Sequence, residues 1–212
     1  MSNPPDTFQS TLWRGGFGND YIERNPASAR NVQSAAMLWA QILLRLQGDP
    51  PVSILEVGAN VGINLCALRA LTNAELFALE PNSSARRYLV DESIVSAGNV
   101  LDGLASNIAL ADRSIDLVFT RGVLIHIHPD DLLASCREMH RVAKRYIVSI
   151  EYFSANPEEL AYRNQSNALF KRDFGAFWLD HFADLRVLDY GFAWQRLTGL
   201  DNLTWWAFEK SG

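Results

Sequence analysis

Short apolar runs alternate with segments of helical periodicity through the middle of the chain. Apolar runs bounded by turn residues predict buried strands, at Val52–Val57, Glu75–Leu79, Val100–Leu101, Ile115–Thr120 and Arg145–Phe153. Between these runs, apolar residues three or four positions apart predict helices, at Ala29–Leu46, Ile63–Leu71, Ser83–Asp91 and Pro129–Val142. Strands that alternate with helices predict a parallel sheet with helices on both of its faces.

The start of the chain departs from this alternation. Residues 1–10 are polar and carry Pro4 and Pro5, which predicts a loose tail. Trp13–Asn25 mixes three glycines with aromatic and charged residues. Such a mixture is poor material for regular structure and is typical of a lid or binding loop.

The end of the chain departs from it as well. The aromatic-rich stretch from Asn156 to His181 is predicted to be helical. Leu185–Phe192 and Leu203–Phe208 are predicted strands with a turn near Gly199 between them. A hairpin at this point would add an antiparallel strand to the sheet. The pattern therefore predicts one α/β domain over residues 1–212, with a Rossmann-like, seven-stranded, mostly parallel sheet.

Two tryptophans are adjacent in the last predicted strand. Because side chains alternate between the two sides of a strand, one of Trp205 and Trp206 is expected to face the core and the other outwards.

Composition narrows the class of protein. Apolar residues make up 48% of the chain and charged residues 20%, and a net charge of -5 indicates against a nucleic-acid partner. Cys66 and Cys136 fall in separate predicted helices, so they predict free thiols in a reducing cytosol. The N-terminus has no signal-peptide pattern, and no apolar run approaches the ~20 residues of a membrane span. The expectation is a cytoplasmic protein without a membrane partner.

The strongest chemical signal is the sequence ILEVGANVG at Ile54–Gly62. A strand ends there with Glu56 near its tip, and Gly58 and Gly62 flank the turn into a helix, where glycine lets the backbone approach a ligand. The loop fits the methyltransferase pattern D/E-x-G-x-G-x-G with Asn60 in place of the middle glycine. Asparagine is the residue other than glycine that best tolerates a left-handed backbone.

A second acid, Glu80, ends the next predicted strand. In a fold of this kind an acid at that position accepts hydrogen bonds from both hydroxyls of a ribose. A dinucleotide oxidoreductase would carry a third glycine, but that position is Ile63. The missing glycine therefore argues against a dinucleotide oxidoreductase, which stays a further alternative.

Two further segments, LASNIALADRSIDLVFT from Leu104 and RGVLIHI from Arg121, complete a resemblance to class I S-adenosylmethionine-dependent methyltransferases over residues 52–151. The resemblance implies S-adenosylmethionine as cofactor, and it implies that Leu104, Ala105 and Ser106 contact its adenine ring.

The remaining segments narrow this resemblance. WRGGFGNDYIERN near the start, YRNQSNALFKRDFG from Tyr162 and LDYGF from Leu188 resemble methylases associated with pseudaminic acid and other surface-sugar gene clusters. A sugar-like acceptor is implied. On this interpretation residues 1–28 form a tail and possible lid, 52–151 the cofactor-binding core, and 152–183 a variable acceptor-pocket region.

Two residues after the fourth strand are candidates for catalysis. His126 is the candidate general base, because its ordinary pKa lies near neutrality; alternatively it braces the following helix. Arg121 is expected to pair with an anionic acceptor group or with the cofactor carboxylate, and a surface ion pair is the alternative. His128 and His126 without a third ligand do not predict a metal site.

Six other residues are candidates for binding. Tyr21 and Arg24 are predicted to close over the cofactor as a lid, or to be ordinary surface residues. Tyr162, Arg163, Lys171 and Asp173 are predicted to line the acceptor pocket, or to be solvated helix charges.

The leading functional hypothesis is O-methylation of a small molecule, a sugar or sugar acid. N-methylation of an amine or natural-product intermediate is an alternative from the same class. A non-catalytic cofactor-binding or partner protein is an alternative from a different class. The oligomeric state stays open.

Overall fold

The computed structural model describes residues 8–162 and 165–211, with side chains described from residue 11 onward except at 162 and 165–168. Within these residues seven strands form one sheet in the order β3-β2-β1-β4-β5-β9-β8. The first five strands run parallel, and β9 is antiparallel to both β5 and β8. The predicted Rossmann-like architecture with a C-terminal antiparallel hairpin is confirmed.

The elements have the following bounds. The strands are β1 Ser53–Val57, β2 Glu75–Leu79, β3 Val100–Leu101, β4 Ile115–Arg121, β5 Ala143–Glu151, β6 Glu158–Tyr162, β7 Gln165–Lys171, β8 Leu185–Ala193 and β9 Leu203–Lys210. The helices are α1 Phe8–Arg14, α2 Gly16–Arg24, α3 Ala29–Leu44, α4 Ile63–Leu71, α5 Ser83–Asp91, α6 Pro129–Val142, α7 Phe174–His181 and α8 Gln195–Thr198.

The apolar core has two parts, one on each side of the sheet. One part joins the sheet to α3, α4 and α5, through residues such as Trp39, Leu65 and Leu89. The other joins it to α6 and α7, through Met139 and Trp178. The sheet is therefore covered by helices on both faces, as the alternating pattern predicts.

The N-terminal segment is helical, which corrects the prediction of an irregular loop over Trp13–Asn25. Trp13, Phe17 and Tyr21 recur every four residues, and the Trp13 ring lies 5.3 Å from the centroids of the other two. Gly18 is required by the packing, because a Cβ there would lie 2.0 Å from the Trp13 carbonyl oxygen. Gly18, one of the three glycines that indicated a loop, therefore permits close contact between two helices.

The stretch after Asn156 is also different from the prediction, which was a helix continuing to His181. Residues 158–162 and 165–171 pair as the antiparallel strands β6 and β7, and the helix α7 begins only at Phe174. Asp173 fixes that start by accepting a hydrogen bond from the Ala176 N–H at 2.9 Å. Ser and Asn at 166 and 167 are poor helix formers, which is consistent with a strand there.

Trp205 and Trp206 are both buried, so the expectation that one of them faces outwards is wrong. They are 5% and 8% exposed and belong to the core parts on opposite sides of the sheet. Alternation along the strand holds, but both faces of the sheet are covered at this position.

Two sequence expectations concern cysteines and membranes. Cys66 is half-buried and Cys136 is buried, and both are free thiols as predicted. Among the described residues, no helix has the length and apolar character needed to cross a membrane.

Candidate functional site

A cavity of about 810 Å³ opens at the carboxyl ends of β1, β2 and β4. Ligands of open α/β sheets bind at this edge, next to the point where the strand order reverses. Many of the side chains named from the sequence line it: Tyr21, Glu56, Asn60, Glu80, Arg121 and His126. Leu104, Ala105 and Ser106 form another part of the wall, in a tight turn beyond β3.

The loop from Gly58 to Gly62, which we call the glycine loop, has the backbone conformation that the sequence predicts. Gly58 and Gly62 have φ of 75° and 73°, and Asn60 has φ of 47°, so the left-handed conformation expected of Asn60 is confirmed. A Cβ at Gly58 would lie 2.6 Å from Val123 Cγ2. Gly62 does not line the cavity; a Cβ there would lie 2.6 Å from Leu89 Cδ2, so this glycine serves helix packing.

Glu80 is held at the tip of β2 by two backbone donors. The Asn60 N–H donates to its Oε2 at 2.7 Å, and the Asn82 N–H donates to its Oε1 at 2.8 Å. Burial raises the pKa of this carboxyl, and the two hydrogen bonds oppose the rise. Each carboxylate oxygen keeps a lone pair for a further donor in the cavity.

Glu56 belongs to a buried polar network at the end of β1. Asn64 donates to Glu56 Oε1 at 2.5 Å and accepts at Oδ1 from Arg121 at 2.9 Å and from the Trp39 indole at 3.3 Å. Glu56 Oε2 is buried, and no donor among the described residues lies within hydrogen-bond distance of it. Burial raises the pKa of Glu56 to about 8, although Asn64 and Arg121 favour the charged form.

His126 is in the 3-10 turn that follows β4, and it is 8% exposed. Its ring lies 5.0 Å from the Trp13 ring. The turn is anchored by Glu151 at the end of β5, whose Oε1 accepts from the N–H groups of Val123 and Leu124. Burial raises the pKa of Glu151 to about 7. Glu151 thus fixes the backbone that carries His126.

The N-terminal helices α1 and α2 cover one side of the cavity. Asn82 caps α5 with its Oδ1 and donates through Nδ2 to the Trp13 carbonyl and to Asn19. Arg14 pairs with Asp102 at 2.8 Å. Tyr21 lines the cavity, whereas the exposed Arg24 lies outside it, 5.8 Å from the centroid of the Tyr21 ring.

One protein-family model and a group of solved structures resemble this chain. A family model described as "Methyltransferase domain" matches residues 55–146, which span the cavity-forming strands. Residues 55–146 of the chain therefore carry a methyltransferase domain. Solved structures of the same fold contain bound S-adenosylmethionine or S-adenosylhomocysteine. A comparison with curated protein sequences gives no match.

Solved structures show the same fold. The 1,6-didemethyltoxoflavin-N1-methyltransferase of Burkholderia thailandensis has a TM-score of 0.71 and 15% identity, over 100% of this chain and 94% of its own. The magnesium protoporphyrin IX methyltransferase of Synechocystis PCC 6803 has a TM-score of 0.66 and 12% identity, over 99% and 100%. Mitomycin 7-O-methyltransferase has a TM-score of 0.66 and 15% identity, over 96% and 61%. The acceptors in these names differ, so the likeness leaves the acceptor of this chain open.

A second cavity adjoins the first and shares Tyr152 and Asp201 with it. Lys171 and Asp173, two of the predicted acceptor residues, line this second cavity. The other two are not placed in it: the side chain of Tyr162 and the whole of Arg163 lie outside the described residues.

Several residues of these cavities are not apparent from the sequence. Trp13 and Asn64 line the first cavity, and Tyr152 donates to Asp201 Oδ2 at 2.8 Å where the two cavities meet. Asn64 follows the glycine loop within the first turn of α4, which is the one sequence signal that would have identified it. In the part of the chain that the structure describes, no group of three or more His, Cys, Asp or Glu side chains is arranged to hold a metal ion.

Proposed function

We propose that this chain transfers a methyl group from S-adenosylmethionine to an oxygen of a small molecule, a sugar or sugar acid. The observation that carries the proposal is the second cavity. It continues from the cofactor cavity and combines aromatic walls, Tyr190 and Phe192, with polar side chains such as Gln195 and Asn202. Sugar rings have apolar C–H faces and polar edges, so such a lining suits them. The segments that resemble surface-sugar methylases support the same class of acceptor.

Glu80 and the turn at residues 104–106 are assigned to the nucleoside part of the cofactor. The Glu80 carboxylate accepts from both ribose hydroxyls with the lone pairs that Asn60 and Asn82 leave free. Leu104, Ala105 and Ser106, which line the same cavity, contact the adenine ring. Gly58 lets the loop backbone approach the cofactor, since it has no Cβ.

Glu56 and Arg121 are assigned to the amino-acid part of the cofactor. The buried, unpaired Oε2 of Glu56 suits an ammonium group. Arg121 lies beside Glu56 and Asn64, and its fork of donors suits a carboxylate. The pair fits an amino acid that carries both charges.

When bound, S-adenosylmethionine supplies an electrophilic methyl group. The protein has to hold the acceptor in line, exclude water and remove a proton from a hydroxyl acceptor. His126 is proposed as the base because it is a buried histidine in the cavity wall. Tyr21, whose ring has the Arg24 guanidinium beside it, is proposed to cover the bound cofactor as part of a lid.

The part of the acceptor beyond its reacting group is assigned to the second cavity, with Lys171 and Asp173 on the rim. Tyr162 and Arg163 stay predicted acceptor residues. The division of one domain into a lid at 1–28, a cofactor core at 52–151 and an acceptor region at 152–183 also stays a prediction, as do the cytoplasmic location and the absence of a nucleic-acid partner.

N-methylation of an amine is the second candidate, and one observation favours it. Asp201 lies where the two cavities meet, and its carboxylate accepts from Tyr152. A carboxylate there would attract an amine in its ammonium form. The two candidates differ in the group that is methylated, which a product analysis resolves.

The test begins with calorimetric titration of S-adenosylmethionine and, separately, of NAD. We expect micromolar binding of the first and none of the second. Sugar acids, neutral sugars and amino sugars are then incubated with the cofactor, and products are analysed by mass spectrometry for the mass and position of the methyl group. O-methylated sugars or sugar acids support the proposal. Methylation of amines alone, or of no sugar by a protein that binds the cofactor, contradicts it.

A further inference from the structure

The second cavity is large enough to hold more than the reacting group of an acceptor. Its volume is about 750 Å³, and it meets the cofactor cavity at Tyr152 and Asp201. Pockets for small molecules have volumes of about 300–1,000 Å³. An acceptor whose reactive group reaches the cofactor cavity therefore has space for a further group in the second one.

One wall of the second cavity is an exposed aromatic surface on the C-terminal hairpin. Tyr190 and Phe192 are 69% and 60% exposed, although they are among the largest apolar side chains of the chain. Tyr190 is opposite Trp206 in the neighbouring strand, and Phe192 is opposite Thr204, so all four side chains lie on one face of the sheet. Large aromatic side chains that stay exposed in a concave wall indicate a binding surface. We call Tyr190 and Phe192 the aromatic platform.

The rim of the second cavity is polar without a strong charge. Lys171 places its ammonium 5.4 Å from the centre of the Tyr152 ring. Among the described residues that line the cavity, Lys171 is the one cation and Asp173 and Asp201 are two carboxylates; an oxygen of Asp173 accepts from a helix N–H, and Asp201 accepts from Tyr152. The described part of this rim therefore carries no unopposed cation for an acidic group, so it suits an uncharged group.

We propose that the second cavity binds an uncharged ring that is attached to the methylated part of the acceptor, with this ring stacked on the aromatic platform. The inference rests on the proposed sugar acceptor and specifies it: the acceptor is a glycoside or a longer glycan. The free monosaccharide would leave the platform uncovered. Because stacking on Tyr190 and Phe192 adds affinity, the ring-bearing acceptor binds more tightly than one without a ring.

Two matched probes test this, methyl β-glucuronide and p-nitrophenyl β-glucuronide, which differ in the attached group. Each is titrated calorimetrically into the protein saturated with S-adenosylhomocysteine, and KM and kcat are measured with S-adenosylmethionine. For the wild type we expect the aryl glucuronide to bind about tenfold more tightly, from the known strength of aromatic contacts. Tyr190→Ala and Phe192→Ala should each remove this preference by raising the KM for the aryl glucuronide, while kcat changes little.

Trp194→Ala is the matched control, since Trp194 is an exposed aromatic residue of the same region, 52% exposed, that lines neither cavity. It should keep the tenfold preference. Equal binding of the two probes, or a preference that persists in Tyr190→Ala and Phe192→Ala, overturns the inference but leaves sugar methylation intact. If neither probe binds or is methylated while S-adenosylhomocysteine binds, both the sugar acceptor and this inference are wrong.

Discussion

Replacing Glu56 by Gln should change the pH dependence of both stability and cofactor binding. The wild-type carboxyl is buried, with a pKa raised from 4.5 to about 8, and its Oε2 has no donor among the described residues. Glutamine keeps the size of the side chain and an oxygen that accepts from Asn64, but it cannot ionise. The variant therefore separates the charge of this side chain from its packing.

The size of the pH-dependent change in stability follows from the pKa of Glu56. Below pH 4.5 the Glu56 carboxyl is protonated in both the folded and the unfolded state, so it contributes nothing to the pH dependence. Between pH 4.5 and about 8 the unfolded state loses the proton while the folded state keeps it, so stability falls as the pH rises. At 1.36 kcal/mol per pKa unit, the total loss above pH 8 is about 5 kcal/mol.

Urea unfolding at pH 5, 7 and 9, followed by circular dichroism, measures this directly. Glu56→Gln should gain stability relative to the wild type as the pH rises, by up to about 5 kcal/mol at pH 9. The difference between the two proteins isolates Glu56 from the other titrating groups. Glu92→Gln, at an exposed helix end, is the control and should show no such trend. A difference that is the same at pH 5 and pH 9 would refute the raised pKa.

Cofactor binding gives an independent measurement of the same ionisation. An ammonium group requires the charged form of Glu56, so the affinity of the wild type for S-adenosylhomocysteine should increase between pH 6 and pH 8, by at most about tenfold per pH unit. Calorimetry in buffers with different ionisation enthalpies should show release of nearly one proton at pH 7. Glu56→Gln should bind weakly and without this pH dependence. Proton release that persists in the variant would show that another group is responsible.

Three further predictions concern single residues of the cofactor cavity. Glu80→Ala should weaken S-adenosylmethionine binding more than about 100-fold, since hydrogen bonds to a charged group are worth about 1.5–3 kcal/mol each; unchanged calorimetric affinity contradicts the ribose assignment. His126→Ala should lower turnover with little change in cofactor affinity, and a turnover that persists would identify His126 as a structural brace. Gly58→Ala should lower the melting temperature and the cofactor affinity, because its φ of 75° disfavours a Cβ and that Cβ would contact Val123 at 2.6 Å; Gly98→Ala, which has open space, is the control and should be nearly neutral.

The parallel part of the fold was predictable because each element carries its own local signal. Ile63–Leu71, Glu75–Leu79 and Ser83–Asp91 have the same bounds in the sequence interpretation and in the structure. Turn residues lie at the end of each of these elements. Within each element the apolar residues have the periodicity of a helix or of a strand. The errors lie where tertiary contacts decide. Gly18 indicates a loop by composition, yet its missing side chain lets α2 pack against the Trp13 carbonyl.

The cofactor site was more predictable than the acceptor site for a physical reason. Glu56, Gly58 and Asn60 lie close together in sequence, because one strand-to-helix turn carries all three. The second cavity joins Tyr152 at the end of β5 to Asp201, 49 residues further along the chain. No local pattern brings such positions together; only the antiparallel pairing of β9 with β5 does so.

Three buried carboxylates at the carboxyl ends of the strands explain how the site is prepared for a charged cofactor. Burial raises the pKa of all three, so each is costly to ionise. Glu80 and Glu151 offset this cost with backbone N–H donors, and by doing so they fix the glycine loop and the turn that carries His126. Glu56 has no backbone donor among its hydrogen bonds in the described structure, only the Asn64 amide. Its Oε2 is unpaired, as is that of Glu151, but Glu56 lines the cavity and Glu151 does not. A cofactor ammonium would supply the missing partner, so the least satisfied of the three carboxylates is the one from which binding has the most to gain.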